Sequence, residues 1–197
     1  MSPTTHLLAS WIIAAKTTDN PRDCRLVALA GILPDADGLG LVVDVFNNVV
    51  RHKHTDFYQN YHHVWLHGLF GAAVTTILLT CFARRHLRVA WLAFLTYHLH
   101  LLCDYVGSRG PDKSDIWPID YLAPFSQKAT WFCHWQWQLF GWQNLVISAA
   151  LFIVAMAMTL KLGHSVIGVF NRKADKIFVA TLQKWWSSFQ PRLTRKP

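Results

Sequence analysis

The sequence predicts an all-α membrane protein, and three observations carry that expectation. Just over half of the 197 residues are hydrophobic and the mean hydropathy is +0.20, both high for a soluble domain. Residues 145–160 form a run of sixteen without a charge, close to the length a helix needs to cross a bilayer. Ten tryptophans are present, a residue that favours the water–hydrocarbon boundary, where its ring is buried and its N–H stays wet. The expected architecture is a set of antiparallel helical hairpins with about three transmembrane spans, followed by a C-terminal amphipathic helix. It divides into a membrane-embedded domain over 1–160 and a basic tail over 161–197.

In chain order, residues 7–15 and 26–33 are apolar but only about half a bilayer thick at 1.5 Å per residue. They flank the polar stretch "KTTDNPRD" and are expected to form a short, half-inserted or peripheral hairpin. The N-terminus has no positively charged stretch before residue 7, so it is not read as a cleavable secretory signal. Residues 38–53 have the pattern of an amphipathic helix. A second hairpin is expected from 64–83 and 89–103, joined by the basic turn "RRHLR" at 84–88. Turn chemistry dominates 107–128, in "GSRGPDKSD" and "WPIDYLAPF". Trp131, Trp135, Trp137 and Trp142 then read as an interfacial belt leading into the span at 145–160. In the tail, Ala174, Phe178, Leu182, Trp185 and Phe189 recur at helical spacing among lysines, the pattern of a helix lying on a membrane. A helix packed in a protein groove is the rival reading.

Charge and cysteine content narrow the function classes. From Lys161 onward there are eight Lys or Arg and one acid, whereas the first 160 residues are close to neutral. A basic tail on an apolar body fits an anionic lipid surface, and no nucleic acid is expected as a partner. The four cysteines are scattered without a CxxC pair, so neither a thiolate zinc site nor a disulfide framework is expected, and the four read as small buried residues. No Walker loop, GxGxxG or GxSxG motif occurs.

Topology then brings polar residues together. By the positive-inside rule, the basic turn and the basic tail both face the cytoplasm. The opposite end of the long hairpin carries His63 and His67 on one helix and His100 and Asp104 on the other, each pair four residues apart and so on one helical face. The short hairpin brings His6 and "PDAD", with Asp35 and Asp37, to the same end. Taken alone, a histidine flanked by apolar residues is more often a hydrogen-bonded packing residue, as for His98 and His164, and Asp35 and Asp37 alone would read as turn and cap residues. Acids beside membrane helices are costly and carry partners. Seven histidines and acids in one layer therefore point to a metal site. Imidazole and carboxylate without thiolate fit zinc, with manganese or iron as alternatives, and the number of candidates suits two ions. Two-metal sites hydrolyse phosphoesters and related bonds.

The strings "AGILPDAD", "HVWLHG", "HLLCD" and "WPI", with His6 ahead of them, resemble in order and spacing the bacterial inner-membrane metal-dependent hydrolase family typified by YdjM. The resemblance spans about residues 6–120. It implies a multi-pass inner-membrane protein distantly similar to zinc-dependent phospholipase C, with His6, Asp35, His63, His67, His100 and Asp104 as ligands. Two departures bear on activity: Val64 stands where the family usually has arginine, and Leu66 and Gly68 replace the threonine and serine around the second histidine. The expected function is hydrolysis of an ester or phosphoester, in a small molecule or a lipid, by metal-activated water. An acid outside the coordination set, Asp37 or Asp120, would serve as general base. The alternative is a non-enzymatic membrane protein with a structural or sensory metal site and a lipid- or partner-binding tail.

The chain is expected to leave membranes only with detergent, because the apolar surface of 145–160 in water would cost several kcal/mol at ~25 cal/mol per Å². Recovery in a high-salt wash would instead show a soluble helical core.

Overall fold

The computed structural model describes residues 1–58, 64–126 and 128–189. Among these, seven helices carry the fold. Helices α1 (Pro3–Thr17) and α2 (Pro21–Ala30) form the first hairpin. Both begin with proline inside the first turn, where its missing N–H costs nothing. The side chains of Ser2 and Asn20 cap their free backbone N–H groups. A 3₁₀ turn, Leu33–Leu39, leads into α3 (Gly40–Arg51). Helices α4 (Leu69–Cys81) and α5 (His86–Gly107) form the second hairpin. A two-stranded antiparallel ribbon pairs Ile119 with Trp131 and Asp120 with Thr130. Helix α6 (Trp142–Leu162) is followed by a second 3₁₀ turn, Val166–Val169, and by α7 (Arg172–Phe189).

Two helices are long and apolar enough to cross a membrane: α5, with 22 residues, and α6, with 21. At 1.5 Å per residue each spans slightly more than a hydrocarbon core of about 30 Å. Helix α2 and the segment Leu33–Arg51 qualify together as a third span, bent by 54° at the break between them. The segment expected to form a span from residue 64 is shorter: α4 has 13 residues and begins at Leu69. Apolar side chains on the outer faces are exposed, including Ile77 and Leu78 on α4, Trp91 and Leu95 on α5, and Leu145, Phe152 and Ile153 on α6. In a bilayer these faces meet acyl chains, and the backbone polar groups behind them are satisfied within the helices.

The interior is built on α1 and α2. Trp11, Ala14, Val27, Ala28, Val89 and Ala155 form one buried cluster, with Trp11 at its centre and 1% exposed. Alanines on α1, α2, α5 and α6 let the four helices approach closely. Thr96, fully buried on α5, donates to its own helix at Leu92 O (2.9 Å) and lies 3.2 Å from Val27 O on α2. The second hairpin has its own cluster of Ala72, Tyr97, Leu101 and Ile119.

The basic turn is anchored by a residue that sequence patterning passed over. Asp23, 1% exposed in the first turn of α2, accepts from the backbone N–H groups of Arg84 (2.8 Å) and Arg85 (3.1 Å). It thereby caps the start of α5 from a neighbouring helix. Asp19 adds exposed ion pairs to Arg85 (3.4 Å) and Arg88 (3.7 Å).

Other expectations are refined. Cys24 and Cys133 are buried, but Cys103 is only half-buried and Cys81, at the end of α4, is exposed. On α7, Asp175 and Val179 are buried, whereas Ile177, Trp185, Trp186 and Phe189 are exposed. Its buried residues lie in the first half, and most of its large aromatic side chains in the second half are exposed.

Replacing Asp23 by Ala removes the acceptor of two part-buried N–H groups and is expected to destabilise the protein by about 1–3 kcal/mol. Asp23→Asn keeps one acceptor and should lose less. Thermal unfolding in detergent measures both, and equal, negligible shifts would remove Asp23 from its anchoring role.

Candidate metal centre

The end of the bundle away from the basic turn gathers four ligand side chains from three elements. His6 lies in the first turns of α1. Asp35 sits in the 3₁₀ turn after α2, and His100 and Asp104 lie one turn apart near the end of α5. One ligand atom from each of the four lies within 4.8 Å of all the others, and three of the four residues are buried. His6 Nε2 is 3.1 Å from Asp104 Oδ1, and His100 Nε2 is 3.0 Å from Asp104 Oδ2 and 3.7 Å from Asp35 Oδ1. The rings of His6 and His100 stack with centroids 3.7 Å apart. The nitrogen of Met1 also reaches Asp104 Oδ1.

Local sequence explains these positions. Gly31 ends α2 at its closest approach to α1, where a β-carbon would overlap the side chain of Ser10. That approach lets the Gly31 carbonyl accept from His100 Nδ1 at 2.9 Å. With Nδ1–H donated to a carbonyl, the neutral ring presents its lone pair at Nε2. This tautomer is assigned from the hydrogen bond. Thr5, beside His6, pairs with Ser148 on α6 at 2.6 Å and fixes the rotation of α1.

The donor set fits a metal ion. Among the described residues, His100 Nε2 and Asp35 Oδ2 are buried and make no hydrogen bond; with Nδ1–H given to Gly31, Nε2 faces Asp104 lone pair to lone pair, an expensive condition unless a cation lies between them. Two imidazoles and two carboxylates form a borderline-to-hard donor set that suits zinc, manganese or iron.

His67 borders this group. It is 1% exposed, with Nδ1 3.0 Å from Asp37 Oδ2 and Nε2 3.7 Å from Asp104 Oδ2. A carboxylate on one nitrogen and the ligand cluster on the other is the arrangement of a metal-binding histidine with its outer-shell partner. Burial works against a charge on this ring, but hydrogen bonds with Asp104 and Asp37 outweigh it and hold its pKa up at about 9.

His67 does not lie on a helix, contrary to the expectation from its spacing. Residues 64–68 form a turn ahead of α4. Tyr97 Oη donates to Leu66 O, and Leu69 N donates to Tyr121 O at 2.8 Å. The Tyr121 carbonyl approaches Gly68 so closely that an added β-carbon would lie 2.7 Å from it. These tertiary bonds outcompete the helical ones. The i,i+4 argument that paired His63 with His67 therefore loses its basis. His63 itself lies outside the described residues, as does its neighbour His62.

The two acids expected to act as bases are placed differently. Asp37 contacts His67 at the edge of the cluster. Asp120 lies in the ribbon, where its Oδ1 accepts from Thr130 Oγ1 at 2.5 Å, and it is not among the four clustered ligands. His98 is a packing histidine. Its Nδ1 bonds Phe94 O at 2.8 Å and its Nε2 bonds the Tyr121 hydroxyl at 3.0 Å.

Two supporting residues had no motif to mark them. Gln136, 3% exposed, donates through Nε2 to Asp104 O at 2.9 Å and accepts Trp117 N at 3.0 Å. Asn144 donates to Gly107 O at 2.7 Å and accepts from Trp137 Nε1 at 2.7 Å. Together they satisfy carbonyls at the end of α5 and hold the helix that carries His100 and Asp104. Buried amides among tryptophans were the available signal.

The fold and site thus define a helical membrane protein with a buried histidine–aspartate cluster that can hold a metal ion. The model of the YdjM inner membrane protein family matches residues 1–182, and the chain belongs to that family. No curated protein and no solved structure matches it.

His100→Ala and Asp104→Ala are each expected to weaken metal retention by more than the roughly 10–100-fold that follows loss of an outer-shell partner. His98→Ala should retain metal. Elemental analysis of folded protein measures this, with His63→Ala expected to lower metal content and His62→Ala, a second control, expected to leave it unchanged. Equal loss in the His98 variant and the ligand variants would dissolve the proposed site.

Proposed function

We propose that this protein is a membrane-embedded, metal-dependent hydrolase acting on an ester or phosphoester bond, lipid esters included. The observation that carries the reading is the buried group of His6, Asp35, His100 and Asp104 beside a cavity of about 310 Å³. Asp35 and Asp104 line that cavity together with Leu39, Tyr58, Trp117 and Leu139. Its apolar walls and acidic floor suit a small acyl or phosphoryl group that approaches a cation held by the carboxylates.

His6, Asp35, His100 and Asp104 would hold the ion, with zinc the best match to the donors, and His67 would stand beside it. Such a metal supplies Lewis acidity and lowers the pKa of water to near neutrality. The protein's own contribution is positional. Gly31 O orients His100, Gln136 holds the α5 backbone at Asp104, and Asp37 orients His67 through Nδ1. In this reading the His67–Asp37 pair is the acid–base candidate nearest the cluster, with Asp120, in the ribbon, the more distant one. By the positive-inside rule the metal end faces the periplasm, and the basic turn and tail face the cytoplasm.

A non-enzymatic metal site is favoured by one feature. Val64, Leu66 and Gly68 supply no charged or hydroxyl group around His67, leaving fewer donors for a substrate oxygen.

Turnover on a panel of phosphoesters and lipid esters separates the two readings. Activity should vanish with chelation, return with zinc or manganese, and fall by at least about 100-fold in Asp104→Asn, the scale of losing a principal electrostatic group. A metal-loaded protein inactive across the panel would favour the structural or sensory role.

A further inference from the structure

The opposite end of the bundle contains a second polar cavity, of about 380 Å³, that the metal chemistry does not use. Its walls come from the α1–α2 connection, the turn after α6 and the start of α7. Three cations line it: Arg25 from α2, and Arg172 and Lys176 from α7. Among the described residues none of them pairs with a carboxylate. The two acids in the wall are engaged elsewhere. Asp19 pairs with Arg85 and Arg88, and Asp175 Oδ1 accepts from Ser165 N at 2.8 Å and Ser165 Oγ at 2.6 Å. Among the described residues, Arg25 Nε is buried without a hydrogen-bond partner. Three unpaired cations around a cavity, one with an unsatisfied buried donor, form a receptor for an anion with several oxygens.

The position of the cavity selects the kind of anion. It lies where the spanning helix α6 ends, at Gly163 and His164, which is the depth of lipid headgroups. Next to it an apolar groove of about 660 Å³ runs between α6 and α7, lined by Phe152, Ile153, Met156, Leu160, Leu182 and Trp186. At 100° per residue, Arg172, Asp175 and Lys176 share one face of α7 with Leu182, Gln183 and Trp186, so one helix face lines both hollows. From Leu160 back to Phe152 the groove descends about 12 Å along the span, a depth reached by an acyl chain.

We propose that the cavity binds the phosphate headgroup of one anionic phospholipid, whose chains lie in the α6–α7 groove. Arg25, Arg172 and Lys176 contact the phosphate oxygens, and the bound lipid ties α7 to the α1–α2 hairpin. Neither the metal nor the proposed hydrolysis enters this site.

The test uses the full chain in nanodiscs and in detergent, with native mass spectrometry to count retained lipid. Phosphatidylglycerol should be retained at one molecule per chain in preference to phosphatidylcholine. Arg25→Gln and Lys176→Gln should each weaken retention about tenfold, as expected for one charge-assisted contact. Lys184→Gln, on the same helix but outside the cavity, should not, and metal content should be unchanged throughout. If Arg25→Gln loses helix content, the exposed Lys176→Gln carries the test alone. Equal retention by all variants, no preference for the anionic lipid, or displacement of the lipid by millimolar inorganic phosphate would each overturn the proposal.

Discussion

A carboxylate buried at the end of a membrane-depth helix sets the terms for this structure. Asp104 is 4% exposed, and an isolated charge there would cost several kcal/mol. The structure answers by bringing three histidines and the Met1 nitrogen to its two oxygens. The three histidines come from different places: α1, the turn before α4, and one helical turn back on α5. Much of the packing can be traced to that requirement. Helix α1 must lie against α5 for His6 to arrive. The turn at 64–68 must stay unwound for His67 to face inward. Gly31 must be small so that α2 can deliver a carbonyl to His100.

The surroundings of Asp104 are as polar as the rest of the bundle is apolar. Its own carbonyl takes Ser108 Oγ and Gln136 Nε2, and the carbonyls following it are met by Trp137 N and Asn144. A helix end in this position would otherwise leave carbonyls unsatisfied. The long connection between α5 and α6 is therefore a cap, and its ribbon and tryptophans are the frame that holds the cap. This arrangement keeps His100 and Asp104 in register while most of the outer surface of α5 and α6 meets lipid. Preorganised ligands on a rigid helix lose little on binding an ion.

The two ends of the bundle divide its chemistry. The clustered acids and imidazoles lie at one end, and Lys16, Arg22, Arg25, Arg84, Arg85, Arg88 and Lys161 lie towards the other. Asp23, Asp19 and Asp175 depart from this division, and each is engaged: Asp23 caps α5, Asp19 pairs with the basic turn and Asp175 accepts from Ser165. This polarity is what a membrane protein with a fixed orientation needs. It also keeps a cation site and an anion-attracting surface about one helix length apart.

Hydropathy and motif order were enough to determine the helical membrane class, the span at α6, the second hairpin and the family. They also marked His6, Asp35, His100 and Asp104, because two antiparallel hairpins must bring their like ends together whatever the packing details. Three features lay beyond that reasoning. His67 was read on a helix because its spacing from His63 is four. Tyr97 and Tyr121, distant in sequence, unwind that segment by bonding its backbone, and no local pattern encodes a distant acceptor. The third candidate span arises from α2 and the Leu33–Arg51 segment across a bend, since a 3₁₀ turn at "PDAD" carries Asp35 into the site and interrupts the apolar run. The supporting roles of Asp23, Gln136 and Asn144 were silent for a similar reason. A buried amide or carboxylate gains its meaning from the backbone groups it satisfies, and those groups are chosen only when the helices pack.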